Sequence, residues 1–141
     1  MLTTTIKTHR TGCTYTQPHF FILNKGMNSG KPLLKPCPNC FVCLAKDEAE
    51  KELYYWLSFS LWHSKSFHPF LRGSAISFII LSDVTEVLAE GISWVNANPA
   101  EFESSMASLK YLERKERQYH LNLRLIKEAK RILFSRYMRK R

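Results

Sequence analysis

From Pro99 to Met138 the chain contains no glycine and no second proline, and this uninterrupted run restricts the fold more than any other feature. Phe102, Met106, Leu109, Leu112, Tyr119, Leu123, Ile126, Leu133 and Tyr137 recur along it at helical spacing. Forty residues of α-helix extend about 60 Å. A compact domain of this length has a radius of gyration of about 14 Å and a diameter on the order of 37 Å, so such a helix must project, break or find a partner. Ser104, Ser105 and Ser108 mark its weakest stretch. Positions 109, 112, 116, 119, 123, 126, 130, 133 and 137 alternate by three and four, but Glu116 and Lys130 occupy two of them, which makes a poor coiled-coil seam. The simpler expectation is one long helix that packs its first half on a core and extends its second. Asn98 and Pro99 are a favoured cap and a favoured first helical residue, and Glu101 and Glu103 suit the positive end of the helix dipole.

The remaining residues must supply the core. With 45% hydrophobic and 23% charged residues the 141-residue chain is globular rather than disordered or low-complexity, and it is long enough to bury a core without disulfides or metals. Residues 1–46 alternate short β-favouring runs (Thr3 to Thr8, Cys13 to Thr16, His19 to Leu23) with turn residues at Gly12, Gly26, Asn28 to Gly30, Pro32, Pro36 and Pro38, which predicts a small sheet. Asp47 and Glu50 have capping-pair spacing, and Ala49, Leu53, Trp56, Leu57, Ser60 and Leu61 share a side. A helix over residues 48–64 follows, its apolar arc widened by Tyr54, Tyr55, Phe59 and Trp62 to suit the centre of the core. His68-Pro69 is the expected stop. Ala75 to Leu81 reads as a β segment with Ile76, Phe78, Ile79 and Ile80 inside. Asp83 with Glu86 offers a second capping pair, and Val84, Val87, Leu88, Gly91, Ile92 and Val95 predict an amphipathic helix over residues 83–97. The expected architecture is a single α+β domain, residues 1–141. It comprises a β-rich region (1–46), a helix, β segment and helix (47–98), and a long basic C-terminal helix with its tail (99–141).

Charge is unevenly placed. Residues 1–109 hold nine Lys and Arg against nine Asp and Glu, so the entire net charge of +9 lies in residues 110–141, where 12 basic side chains face three acidic ones. Arg114, Lys115, Arg117, Arg124, Lys127, Lys130, Arg131, Arg136, Arg139, Lys140 and Arg141 are the candidate nucleic-acid-binding residues. Such side chains neutralise phosphates and release counterions, with log K falling about 0.9 per contact per decade of salt. Tyr111, Tyr119, Phe134 and Tyr137 offer stacking surfaces, although their spacing equally suits core packing. The alternatives are a solvated helix whose cations complement the dipole, or one that packs on another protein. Membrane adsorption fits less well, because the cations are not confined to one polar face.

Cys37, Cys40 and Cys43 stand at three-residue spacing, and the first pair suits a zinc knuckle, but a structural zinc site needs four ligands. Cys13, His9 or His19 could complete it only by folding back over the cluster, so the cysteines are read as free thiols. Cys37-Pro38-Asn39-Cys40 before a helix is similar to a glutaredoxin active site. The cis-proline loop and glycine pair of that family are missing from this sequence. Gly26 to Lys31 departs from the phosphate-loop pattern in its glycine spacing and in Pro32, and reads as a turn. His63, His68 and Arg72 suggest an acid–base site without a carboxylate to orient either ring. Met1 to Lys7 is polar and no apolar stretch reaches the roughly 20 residues of a membrane span, so neither a secretory signal nor a membrane span is expected, and the expected location is cytoplasmic.

Residues 20–100 resemble an uncharacterised family of small proteins carried on conjugative transposons of Bacteroides-type bacteria. The likeness rests on Gly26-Met27-Asn28-Ser29-Gly30, Pro36-Cys37-Pro38-Asn39-Cys40-Phe41, Tyr54-Tyr55-Trp56-Leu57 and Pro69-Phe70-Leu71-Arg72-Gly73. It implies a mobile-element setting and no catalytic residues. The expectation is therefore a non-enzymatic accessory protein with no cofactor, whose partner is the DNA or RNA backbone or another protein chain.

Overall fold

The computed structural model describes residues 4–139. The chain divides into two compact units, Met1–Asn98 and Pro99–Arg141. The fold is α+β. In the first unit, strands β1 (Thr5–Thr8), β2 (His19–Leu23), β3 (Pro32–Leu33) and β4 (Cys40–Leu44) form an antiparallel sheet of order β1-β4-β2-β3. Helices α1 (Glu48–His63) and α2 (Leu81–Ala97) complete that unit, and α3 (Pro99–Met138) forms the second.

The two central strands, β2 and β4, are nearly continuous apolar runs because both their faces are covered. Register and alternation put Ile6, Phe20, Ile22, Phe41 and Cys43 on one face, where Phe20 meets Tyr55 of α1 edge-on at 5.6 Å between ring centres. Phe21, Cys40 and Val42 lie on the other, under Tyr15, Leu33, Cys37 and Leu44. Beside α1, α2 buries Val84, Val87, Leu88, Gly91, Ile92 and Val95, the predicted stripe. A Cβ on Gly91 would stand 3.1 Å from Leu57 and 3.2 Å from Leu61, so the glycine sets how closely α1 and α2 approach.

The helix ends have separate causes. Asp47 Oδ1 accepts the Glu50 N–H at 2.8 Å, and the buried Glu50 carboxylate accepts the Lys46 N–H at 3.1 Å, which fixes the start of α1 as its spacing predicts. Buried Glu50, rather than exposed Ala49, is the inward residue of this turn. At the other end Lys65 takes a left-handed conformation, φ 62°, and the Lys65 and Ser66 N–H groups bond back to Trp62 and Leu61 in a Schellman closure. The helix thus ends before His68-Pro69, which instead forms a short 3-10 turn over His68–Phe70.

Two expected β segments are absent. Ala75 to Leu81 is not a strand: a Cβ on Gly73 would lie 2.4 Å from the Ile76 carbonyl oxygen, so the backbone turns tightly, and only Phe78 bridges to Arg72 and Lys25. Ile79 is buried, whereas Ile76 and Phe78 are exposed. Leu81 already lies in α2, whose cap is Ile80 rather than Asp83; the Asp83 carboxylate accepts from Arg72 at 3.1 Å. Cys13 to Thr16 is likewise irregular. Pro32, expected as a turn residue, forms with Leu33 a two-residue edge strand, where a proline removes no central ladder bond. Thr3 lies outside the described residues.

Gly30 has φ +100°, and the ring of fully buried Phe67 fills the space a side chain would need, 2.3 Å from an ideal Cβ. Gly12 has φ +89° with open space around it. Replacing Gly30 by Ala is expected to cost about 2–4 kcal/mol, from strain plus displacement of Phe67, against about 1 kcal/mol for Gly12→Ala. Urea unfolding midpoints check this, and equal losses would refute the Phe67 contact as the cause.

Candidate nucleic-acid interface

α3 is a single unbroken helix of 40 residues. At about 100° per residue, Arg114, Arg117, Arg124, Arg131 and Arg139 fall within a sector of roughly 100°, with Lys127 beside it. Lys110 shares this sector and was missed as a site residue, although the same three-and-four spacing shows it. Arg136 borders the sector on its other edge, Lys115 and Lys130 point elsewhere around the helix, and Lys140 and Arg141 lie outside the described residues. The arginines are exposed. Two acidic residues share their side: Glu113, and Glu128, which holds Arg131 at 2.9 Å. Lys115 lies over the Tyr111 ring at 5.6 Å. Tyr119 and Tyr137 are exposed on the side away from the arginines, so bases held by the arginine face would not reach them, whereas exposed Phe134 lines a shallow cleft with Arg131 and Arg139.

Strand β4 separates Cys43 from the other cysteines of the cluster. Cys40 and Cys43 are three apart in β4, and the two-residue period sends them to opposite faces. Cys40 donates to the Cys37 carbonyl oxygen at 3.2 Å, Cys43 is buried on the α1 side, and Cys13 is exposed. No group of three or more His, Cys, Asp or Glu able to hold a metal occurs among the described residues. His9 instead joins an aromatic layer, its Nδ1 2.9 Å from the Tyr15 hydroxyl and its ring edge-on to Phe21 at 5.0 Å. Beside this layer, Lys7, Thr8, Arg10, Cys13, Thr14 and Tyr15 line an open cleft of about 600 Å³. Gly26 to Lys31 is a turn, closed by the Ser29 hydroxyl donating to the Gly26 carbonyl at 2.6 Å. His63 stacks on Phe59 while Arg72 pairs with Asp83, so the three residues His63, His68 and Arg72 form no acid–base group.

Burial pushes the Cys43 thiol up to about 12 and raises that of Cys40. At pH 8, iodoacetamide should therefore modify Cys13 rapidly and Cys37 more slowly, with Cys40 and Cys43 modified only after unfolding, as read by peptide mass mapping. The unfolded Cys43 thiol loses its proton from about pH 9 and the folded one near 12. Stability is thus expected to fall across that interval by up to about 4 kcal/mol, and to fall less in Cys43→Ala.

No helix among the described residues is long and apolar enough to cross a membrane. Neither the curated proteins nor the solved structures contain a match to the chain. The match that is found runs from β1 through the sheet, α1 and α2 and along nearly all of the arginine face: the model of the Family of unknown function (DUF6943) matches residues 6–136, and the chain belongs to that family.

Proposed function

We propose that this protein is a non-enzymatic accessory factor that holds nucleic acid by its phosphates, without reading sequence, through the arginine face of α3. The observation that carries the reading is the alignment of Arg114, Arg117, Arg124 and Arg131 on one exposed side of a continuous helix. Between Lys110 and Arg139 this side runs about 44 Å, long enough to follow several phosphates of a duplex. The overall charge of +9, all of it in residues 110–141, would draw a polyanion to this helix before any specific contact forms. Tyr119 and Tyr137 lie on the far side, so the contact is mainly electrostatic, with Phe134 the aromatic beside the arginines. A cytoplasmic setting on a mobile element, as the resemblance to conjugative-transposon proteins suggests, would supply DNA as the partner at hand.

Fluorescence anisotropy with a labelled duplex of 30 base pairs provides the test. With five or six phosphate contacts, log K should fall with log salt at a slope of about −5. Arg117→Glu with Arg124→Glu should weaken binding on the order of 100-fold and flatten that slope by about 2. Lys115→Glu with Lys130→Glu changes the net charge equally on the opposite side of the helix and should cost far less. Absent or salt-independent binding, or equal losses in the two double variants, would overturn the proposal.

A further inference from the structure

α3 carries a second ordered feature, independent of its arginines. Leu112, Tyr119, Leu123, Ile126, Leu133 and Tyr137 repeat at intervals of three, four and seven along one side, and each is more than half exposed. Two charged residues interrupt this apolar seam, Glu116 and Lys130. They lie seven residues before and seven residues after Leu123. The seam is thus symmetric in position about Leu123 and antisymmetric in charge.

That arrangement selects a partner and an orientation. In a parallel, in-register pair Glu116 would oppose Glu116 and Lys130 would oppose Lys130, each a like-charge contact inside an apolar seam. In an antiparallel pair centred on Leu123, Glu116 of each copy lies next to Lys130 of the other, so both charges are matched twice. We infer that α3 associates with α3 of a second copy of this chain, antiparallel and centred on Leu123. Glu116 lies 4.0 Å from His120, an exposed neighbour one turn on, so its carboxylate can turn to a lysine. The seam from Leu109 to Tyr137 is about 42 Å long, roughly four heptads. The arginine side stays outside the pair, and Lys115, Lys127 and Arg136 flank the seam, so added salt screens repulsion and strengthens association. Nucleic-acid binding has the opposite salt dependence, which keeps the two readings separable.

Sedimentation equilibrium of the full chain, free of nucleic acid, at 0.15 M and 1 M salt tests this. The expected result is a dimer that tightens with salt. Leu123→Lys should give a monomer with unchanged helical circular dichroism, since the residue it replaces is exposed. Glu116→Lys should weaken the dimer by at least about tenfold, and adding Lys130→Glu to it should restore most of the loss. A monomer at both salts would overturn the inference. So would a dimer indifferent to Glu116→Lys, the behaviour of a parallel pair, or one that the double swap fails to restore.

Discussion

A strand sends alternate side chains to opposite faces, and in β2 and β4 both faces are buried; the first unit is organised around that constraint. Phe20 and Ile22 must meet helices while Phe21 faces the layer built by His9, Tyr15 and His19. Five consecutive apolar residues in β4 therefore serve two cores. Once β4 is central, its edges are covered by β1 and β2, and α1 is left to close one face. The same alternation decides the cysteine chemistry. Cys43 is separated from Cys40 and Cys37 by the thickness of the sheet, and burial keeps it protonated where a metal ligand or nucleophile would need to be a thiolate.

In the second unit the period is 3.6 rather than 2, with a comparable effect on charge. Eleven candidate cations listed along a sequence suggest an even coat. The helix sorts the arginines at 114, 117, 124 and 131 to one side and leaves Lys115 and Lys130 apart. Three-and-four spacing also gathers Leu112, Tyr119, Leu123, Ile126 and Tyr137 into a row that faces solvent in the single chain. An exposed apolar row of this length is uncommon on a soluble surface and ordinarily marks an interaction site.

Much of this was legible where local chemistry governs. Asp47 and Glu50 cap α1 through their own side chains, the stripe from Val84 to Val95 is buried residue for residue, and the bounds of α3 follow from Asn98-Pro99 and the absence of breakers. What escaped depends on distant partners. Ala75 to Leu81 has strand-like composition, but its carbonyls and amides bond to Asn24, Gly26 and Arg72, so it serves as a strap across the turn before β3. Lys65 in a left-handed C′ position carries no sequence mark, since glycine is the residue that signals that closure. Asp83 looked like a cap until Arg72, eleven residues away, took its carboxylate. For the candidate site the residue types were visible and their grouping was not. A sum of charges has no direction until the helix phase is applied to it.

The helix phase also makes the two readings of α3 compatible. The centre of the arginine sector and the centre of the apolar seam are separated by about 150° around the axis. Pairing through the seam would therefore leave the arginines outward on both sides of the pair. Glu116 and Lys130, which weaken the seam as a generic coiled coil, become the feature that fixes orientation, because opposite charges placed evenly about a centre satisfy each other only when the helices run in opposite directions. A stronger, all-apolar seam would hold more tightly but would pair in either direction. In α3 the two interruptions give up some cohesion in exchange for a defined geometry, and that geometry points the two arginine faces away from each other.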